Sequence, residues 1–332
     1  MRAAVSLPRL VVVTRKSALT QLRARHGTTG QAKFYLASRK QKLDTYEDGD
    51  ARLEAGLATV LSALPSERRR ARVDRDELDR FVFEPEDIVF VVGQDGLVAN
   101  VAKYLDKQPV IGINPDPSRF DGVLCRIPPG SAAAALAWFE ADKLGLVSAG
   151  PRAAFAEERR TMALVEREDG QRLRALNEVF IGHRTHQSAR YLLTTNGKSE
   201  HQSSSGIICA TGTGATGWAR SIAVQRGLVE RLPTPTAASL TWFVREPFPS
   251  VSTGTTLDVG AVTRDDVLTV VSEMGEDGVI FADGIEGDRL EFSSGQIAKV
   301  RVDSGVLRLI VPSRPGGRSQ ATRLIHDTSA DT

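Results

Sequence analysis

The sequence predicts an α/β domain built on a parallel sheet, residues 1–128, followed by an antiparallel, β-rich domain, residues 129–311. Three observations support this division. Apolar strand-like segments at Leu10–Thr14, Ile88–Val92 and residues 110–113 alternate with helical patterns at residues 51–64 and 97–104. Beyond Pro128-Pro129-Gly130 the pattern becomes short β-type segments separated by Gly, Asp-Gly or Ser-Gly turns. The chain has 332 residues, 41% of them apolar, enough for two buried cores.

The elements follow in order. Leu10-Val11-Val12-Val13-Thr14 is a near-continuous apolar run, as a strand buried on both faces requires. A charged stretch without clear periodicity separates it from the helix at 51–64, where Leu53, Leu57, Val60, Leu61 and Leu64 share one face. The second strand, Ile88–Val92, stops at Gly93-Gln94-Asp95-Gly96, and an apolar helix at 97–104 follows. The third strand, 110–113, runs into Asn114-Pro115-Asp116-Pro117. Strands alternating with amphipathic helices imply a parallel sheet covered on both faces. Ligands bind beyond the carboxyl ends of such strands, so these two loops are expected to lie side by side. An alanine-rich helix at 131–143 precedes β-type segments at 175–181, 190–194, 206–210, 240–244, 256–259, 267–271, 279–282, 298–302 and 306–311. One helix, about residues 218–226, interrupts them, and residues 312–332 are expected to form a mobile tail.

Composition narrows the function. The charges nearly balance at +2, so nothing suggests a polybasic nucleic-acid surface. Cys125 and Cys209 lie far apart, arguing against a disulfide framework and for a reducing compartment. No apolar run approaches the roughly 18 residues needed to span a bilayer. Residues 1–8 lack the apolar core of a secretory signal, and a cytoplasmic protein is expected.

Four segments can carry chemistry. A strand ending in Gly93-Gln94-Asp95-Gly96 before a helix brings bare N–H groups and one carboxylate together, suiting a phosphate and an attacking hydroxyl. Asp-Gly is equally an ordinary turn. Asn114 and Asp116 have side chains able to hold a ribose or to close an Asx-turn. Asn177-Glu178 opens an apolar strand, where Glu is rare, and an amide beside a carboxylate suits vicinal ribose hydroxyls. Its plain alternative is a turn cap beside a solvated acid. In Thr211-Gly212-Thr213-Gly214-Ala215-Thr216-Gly217 a buried strand passes directly into a helix. Its glycines permit close approach and its threonines offer hydroxyls to phosphate or ribose.

Two further patterns mislead. Residues 212–217 match Gly-x-Gly-x-x-Gly, but no second strand ending in an acid follows about 20 residues on, as a dinucleotide fingerprint requires. Gly197-Lys198-Ser199 resembles the end of a P-loop, but Leu192 stands where its first glycine belongs, and a hairpin turn is expected. His183 and His186 have no further metal-ligand pattern, and no Gly-x-Ser-x-Gly elbow occurs.

Taken together and in order, these segments resemble the NAD kinases. Gly93-Gln94-Asp95-Gly96 is similar to that family's Gly-Gly-Asp-Gly loop, Asn177-Glu178 to its Asn-Glu motif, and Thr211-Gly212-Thr213-Gly214 to its Thr-x-Thr-Gly motif. The mitochondrial-type branch also has segments like Val110-Ile111-Gly112-Ile113-Asn114-Pro115-Asp116-Pro117, Ser204-Ser205-Gly206, Arg245-Glu246-Pro247 and Asp283-Gly284. The resemblance spans residues 8–311. It implies a Rossmann-like domain and a β-rich, sandwich-like domain with a cleft between them. It further implies phosphoryl transfer from ATP, with Mg²⁺, to the 2′-hydroxyl of the adenosine ribose of NAD, in a homodimer or higher homo-oligomer. On this reading Asp95 accepts the hydroxyl proton, and Gly93, Gln94 and Gly96 approach the donor phosphates. Asn114, Asp116, Asn177, Glu178, Thr211, Gly212, Thr213, Gly214, Thr216 and Asp283 contact nucleotide, with Asp283 alternatively a loop anchor.

Departures from the family leave alternatives open. Gln94 replaces a glycine, Leu97 a frequent threonine, and Trp218 a common tyrosine. Ser205 stands where many bacterial members have an aspartate. A relative that phosphorylates a sugar, lipid or other nucleoside is one alternative. A non-catalytic nucleotide-binding regulator, motivated by Gln94, is another.

Overall fold

A computed structural model of the chain describes residues 7–145 and 154–313. Strands β1 (Leu10–Thr14), β2 (Arg70–Asp74), β3 (Ile88–Val92) and β4 (Pro109–Ile113) form a parallel array in the order β2-β1-β3-β4. Successive residues of β1 and β3 point to opposite faces, and both faces are apolar. Val11, Val13, Val89 and Val91 meet Leu97, Val98 and Val101 of α4 (Asp95–Ala102). Leu10, Val12, Ile88 and Phe90 meet Leu57 and Val60 of α3 (Asp44–Ala63) and Leu136 and Phe139 of α5 (Ala132–Lys143). Helix α3 starts well before the expected residue 51, and α4 starts at Asp95, two residues before the expected start. Two short helices, α1 (Ala18–His26) and α2 (Thr29–Ala37), occupy the charged stretch where none was expected.

The remaining strands are β5 (Phe155–Arg167), β6 (Arg172–Ala175), β7 (Glu178–His183), β8 (Ala189–Thr195), β9 (Lys198–Ser204), β10 (Ile207–Ala210), β11 (Ser239–Val244), β12 (Val259–Thr263), β13 (Leu268–Ser272), β14 (Gly278–Ala282), β15 (Ile285–Glu291) and β16 (Ile297–Pro312). Strands β12, β11, β10, β7, β14 and β15, in that order, make a six-stranded antiparallel sheet. Its inner face (Val179, Ile181, Cys209, Trp242) packs on Val165, Tyr191, Val270 and Val300 of the larger sheet, forming a sandwich. Its outer face carries α6 (Trp218–Arg226) through Ala219, Ile222 and Ala223.

The expected strands change in three places. Residues 298–311 form not two strands but one, β16, with an irregularity between Val302 and Val306. Residues 308–310 pair in parallel with β4, so this last strand extends the N-terminal sheet. Together with the packing of α5 on that sheet, it carries the structure across the boundary expected at residue 128. Residues 175–181 are not one strand either. The chain breaks at Leu176-Asn177, with β6 in the large sheet and β7 in the small one. The expected strand at 256–259 starts only at Val259. The expected tail lies, from residue 314 onward, outside the described residues. Among the described residues no helix is long and apolar enough to cross a membrane.

Candidate active site

Three chain breaks converge on one crevice of about 220 Å³ between the α/β layer and the sandwich. The β3–α4 junction contributes Asp95 and Gly96, the β6–β7 break Asn177 and Glu178, and the β10–α6 turn Thr213, Gly214, Thr216 and Trp218. Residues more than 80 positions apart in sequence thus face one space.

Asp95 is the first residue of α4, where the helix dipole favours a negative charge. Its carboxylate is also held from across the crevice. The N–H groups of Leu124 and Cys125 both donate to Oδ1 at 2.8 Å, and that of Val123 donates to Oδ2 at 2.8 Å. A carboxylate has about four acceptor sites. Three donors therefore fix the group in place and leave Oδ2 room for one hydroxyl.

Asn177 and Glu178 are held by Asp283. One carboxylate oxygen of Asp283 accepts from the N–H groups of Asn177 (2.7 Å) and Glu178 (3.3 Å), and the other from Leu176 (3.0 Å). These N–H groups lie where the strand is interrupted, so the carboxylate replaces a strand partner. Asp283 does not line the crevice; it anchors the segment that does. It sits at φ +53°, in the β14–β15 turn. Burial pushes its carboxyl up to about 6, against the pull of the three N–H donors. Burial first, and the neighbouring Asp283 second, push Glu178 up to about 7.

The Thr-Gly turn divides its work. Thr211 is fully buried; its hydroxyl donates to the Leu176 carbonyl at 2.5 Å and accepts from the N–H groups of Thr213 and Gly214. It therefore ties this turn to the Asn177 segment and does not face the crevice. Thr213 accepts from the buried Arg160 at 3.4 Å, and Thr216 donates to the Thr213 carbonyl at 3.0 Å. Gly214 is required for packing, because a Cβ there would collide with the carbonyl of Asn177. Gly212 packs equally closely on Thr234. Gly214→Ala is expected to cost about 1–3 kcal/mol, the range for overpacking, and to push Asn177 out of position. Chemical denaturation measures the first effect and ligand calorimetry the second.

Other expected residues lie elsewhere. Gly93, Gln94 and Asp116 line a second, adjoining cavity of about 560 Å³. Gln94 has ordinary extended backbone, φ −100°, so its side chain costs the loop nothing sterically. Asn114 lines neither cavity. It is buried, donates to the Phe120 carbonyl at 2.8 Å and accepts from the Asp116 N–H at 3.0 Å, the Asx-turn alternative. Trp218 stacks on Phe180 at 5.8 Å with a 12° interplanar angle, which fixes its indole at the crevice mouth. Asn196-Gly197, both at positive φ, make the β8–β9 hairpin turn, and Lys198 and Ser199 belong to β9. Among the described residues no cluster of three or more His, Cys, Asp or Glu is arranged to hold a metal ion.

Comparison with known proteins gives a consistent picture. No family model matches the chain. It is 32% identical over 200 residues to the mitochondrial NAD kinase 2 of Rattus norvegicus, covering 49% of this chain and 47% of that protein. It is 30% identical over 201 residues to the Homo sapiens mitochondrial NAD kinase 2, covering 49% of this chain and 45% of that protein. The match spans about half the length of these relatives. An NAD kinase from Archaeoglobus fulgidus, solved in complex with ATP, shares the fold with a TM-score of 0.53 and 18% identity, over 91% of this chain and 92% of the other. The fold expected from the sequence, an α/β parallel-sheet region followed by an antiparallel, β-rich, sandwich-like region, is the fold observed.

Proposed function

With sequence and fold both similar to the NAD kinases, we propose that this chain transfers the terminal phosphoryl group of ATP to the 2′-hydroxyl of the adenosine ribose of NAD, giving NADP. One observation carries this reading. A single fixed carboxylate, Asp95, shares a crevice with an amide–carboxylate pair, Asn177-Glu178, and with the Thr213–Trp218 turn. Asn177 and Glu178 hold the acceptor ribose, and Trp218 lines the crevice beside them. The 2′-hydroxyl passes its proton to Oδ2 of Asp95 as its oxygen forms a bond to the γ-phosphorus. The bond from that phosphorus to the β–γ bridging oxygen breaks, and ADP leaves with the electron pair. Such a reaction needs alignment and charge neutralisation more than covalent help from the protein.

Mg²⁺ fits this chain as an ion carried on the nucleotide. Asp95 and Asp283 are already engaged by backbone N–H groups, and no protein cage is present among the described residues. Mg²⁺ usually binds through phosphates and water with one or two carboxylates, and it supplies neutralisation of phosphate charge. Asp116 accepts from Arg52 and Ser118 through Oδ1, and its other oxygen, buried without a partner, is the atom that would take such an ion.

Incubation of the purified protein with ATP, Mg²⁺ and NAD is expected to yield NADP. If NAD binds but no NADP forms, the non-catalytic reading replaces this one. If neither occurs, a screen of sugar, lipid and nucleoside acceptors decides for the related-kinase reading. The proposal includes a homo-oligomer, to be checked by mass photometry. It also includes a cytoplasmic setting, supported by two buried thiols with no disulfide between them and checked by fractionation.

Glu178 gives a pH prediction. Its folded pKa of about 7 lies above the ordinary carboxylate value. Between those values the folded chain holds a proton that the unfolded chain has released. Its contribution to stability therefore falls as pH rises toward about 7 and levels off beyond. Ionised Glu178 accepts a ribose hydroxyl, so NAD affinity is expected to rise as pH passes through about 7. Glu178→Gln should flatten that step in calorimetry.

A further inference from the structure

Helix α4 carries Asp95 as its first residue and Lys103 at its C-cap, roughly 12 Å away at 1.5 Å per residue. At that far end a cavity of about 1010 Å³ opens between the α/β layer and the sandwich, and Lys103, Leu105, Arg174, Asp288 and Asp303 line it. Two polar ties hold the helix end across this space. The Lys103 ammonium, on a side chain only 4% exposed, donates to both carboxylate oxygens of Asp288 in β15, at 3.0 and 3.3 Å. The Arg174 guanidinium, in β6, donates to the Leu105 carbonyl and pairs with Asp303. Both strands lead back to the crevice. Strand β6 runs into the Leu176-Asn177 break, and β15 leaves the turn from which Asp283 anchors that break. Strand β15 is also the edge of its sheet, paired only with β14 among the described residues.

A buried ion pair is a weak source of net stability, because desolvation offsets much of the attraction. What this one supplies is a fixed distance between the two carriers of the site. We infer that Lys103 is a positioning residue: by joining the far end of α4 to β15, it holds Asp95 at its working separation from Asn177 and Glu178. The inference rests on the proposed reaction for its effect on turnover. Lys103 also acts on the acids behind the crevice. The charged groups facing Asp283 are Glu178 on β7, which Asp283 pushes up, and Lys103 on α4, which draws Asp283 down against its burial. Asp288 on β15 takes the same cation, so its removal leaves three acids without it.

Lys103→Met keeps the reach of the side chain and removes its charge. With ATP, Mg²⁺ and NAD it is expected to lower kcat by about 10–10²-fold, the scale of a misplaced catalytic group, while NAD affinity in calorimetry changes only a few-fold. Asp288→Asn should lower kcat in the same direction. The double variant should lose no more than the worse single one, because the two residues act as one tie. A pH series separates this role from packing. Asp283 holds its proton more tightly folded than unfolded, so its contribution to stability is present at low pH and lost as pH rises through about 6. Lys103 opposes that loss. The thermal midpoint of Lys103→Met should therefore fall further below wild type at about pH 8 than at about pH 5. Wild-type kcat in Lys103→Met, additive losses in the double variant, or an equal midpoint loss at both pH values overturns the inference. If the wild type makes no NADP, the kinase reading fails alone, and the pH dependence and non-additivity of the midpoint losses decide the inference.

Discussion

Asp95→Asn is expected to lower turnover by about 10²–10⁴-fold, the usual contribution of a positioned general base, while NAD affinity stays within a few-fold. The structure makes this substitution unusually clean. Oδ1 takes the N–H groups of Leu124 and Cys125, and an asparagine oxygen can keep both. The amide nitrogen then replaces Oδ2, facing the Val123 N–H donor against donor at an exposed position and lacking the capacity to take a proton. Loop 123–125 should stay docked. Turnover measured beside NAD calorimetry separates the lost base from a lost site. Retained turnover would mean the proton acceptor is another group.

The second large effect is expected from a residue that does not face the crevice. Asp283→Ala leaves the N–H groups of Leu176, Asn177 and Glu178 without their acceptor. Each unsatisfied buried donor costs about 1–3 kcal/mol. A loss of roughly 3 kcal/mol or more is therefore expected in chemical denaturation. Alanine is also poorly suited to φ +53°. Asp283→Asn should be milder, because asparagine tolerates that conformation and its single oxygen can retain the Asn177 and Glu178 donors. NAD binding should follow the same ranking, since these donors belong to the segment that carries Asn177 and Glu178. A fully stable Asp283→Ala protein would show that the β6–β7 break is held by something else.

Much of the fold was legible where one physical signal dominated. Strands β1 and β3 are buried on both faces, so they read as unbroken apolar runs with the bounds observed. Helix α6 follows a glycine turn and ends at Gly227, in the left-handed region, a stop signal visible in the chain. Helices α1 and α2 bury only Leu19, and Ala32 and Leu36, so they lack the apolar stripe that marks a helix. Their caps, Ser17 and Thr28, accept from Thr20 and Gln31 and were the signal available. Strand β5 is hidden by its charges. Glu157 and Glu158 pair with Arg308 and Arg126, and Arg160 is fully buried against Glu158, so these residues read as surface until their partners are known.

The crevice divides along the same line. Asp95, Asn177, Glu178 and Thr213 could be found because local sequence placed each at a strand end. The donors that hold Asp95 come from residues 123–125, which only the folded chain brings near. Thr211, Asn114 and Asp283 carry polar side chains typical of ligand contacts but use them on backbone groups.

The most direct test is single-turnover transfer from ATP labelled at its γ-phosphate, with the labelled position located by nuclear magnetic resonance. For wild-type protein and NAD, the label is expected on the 2′-oxygen of the adenosine ribose, and Asp95→Asn should bind NAD but label it about 10²–10⁴-fold more slowly. Label on any other hydroxyl, or transfer by Asp95→Asn at the wild-type rate, would contradict the account.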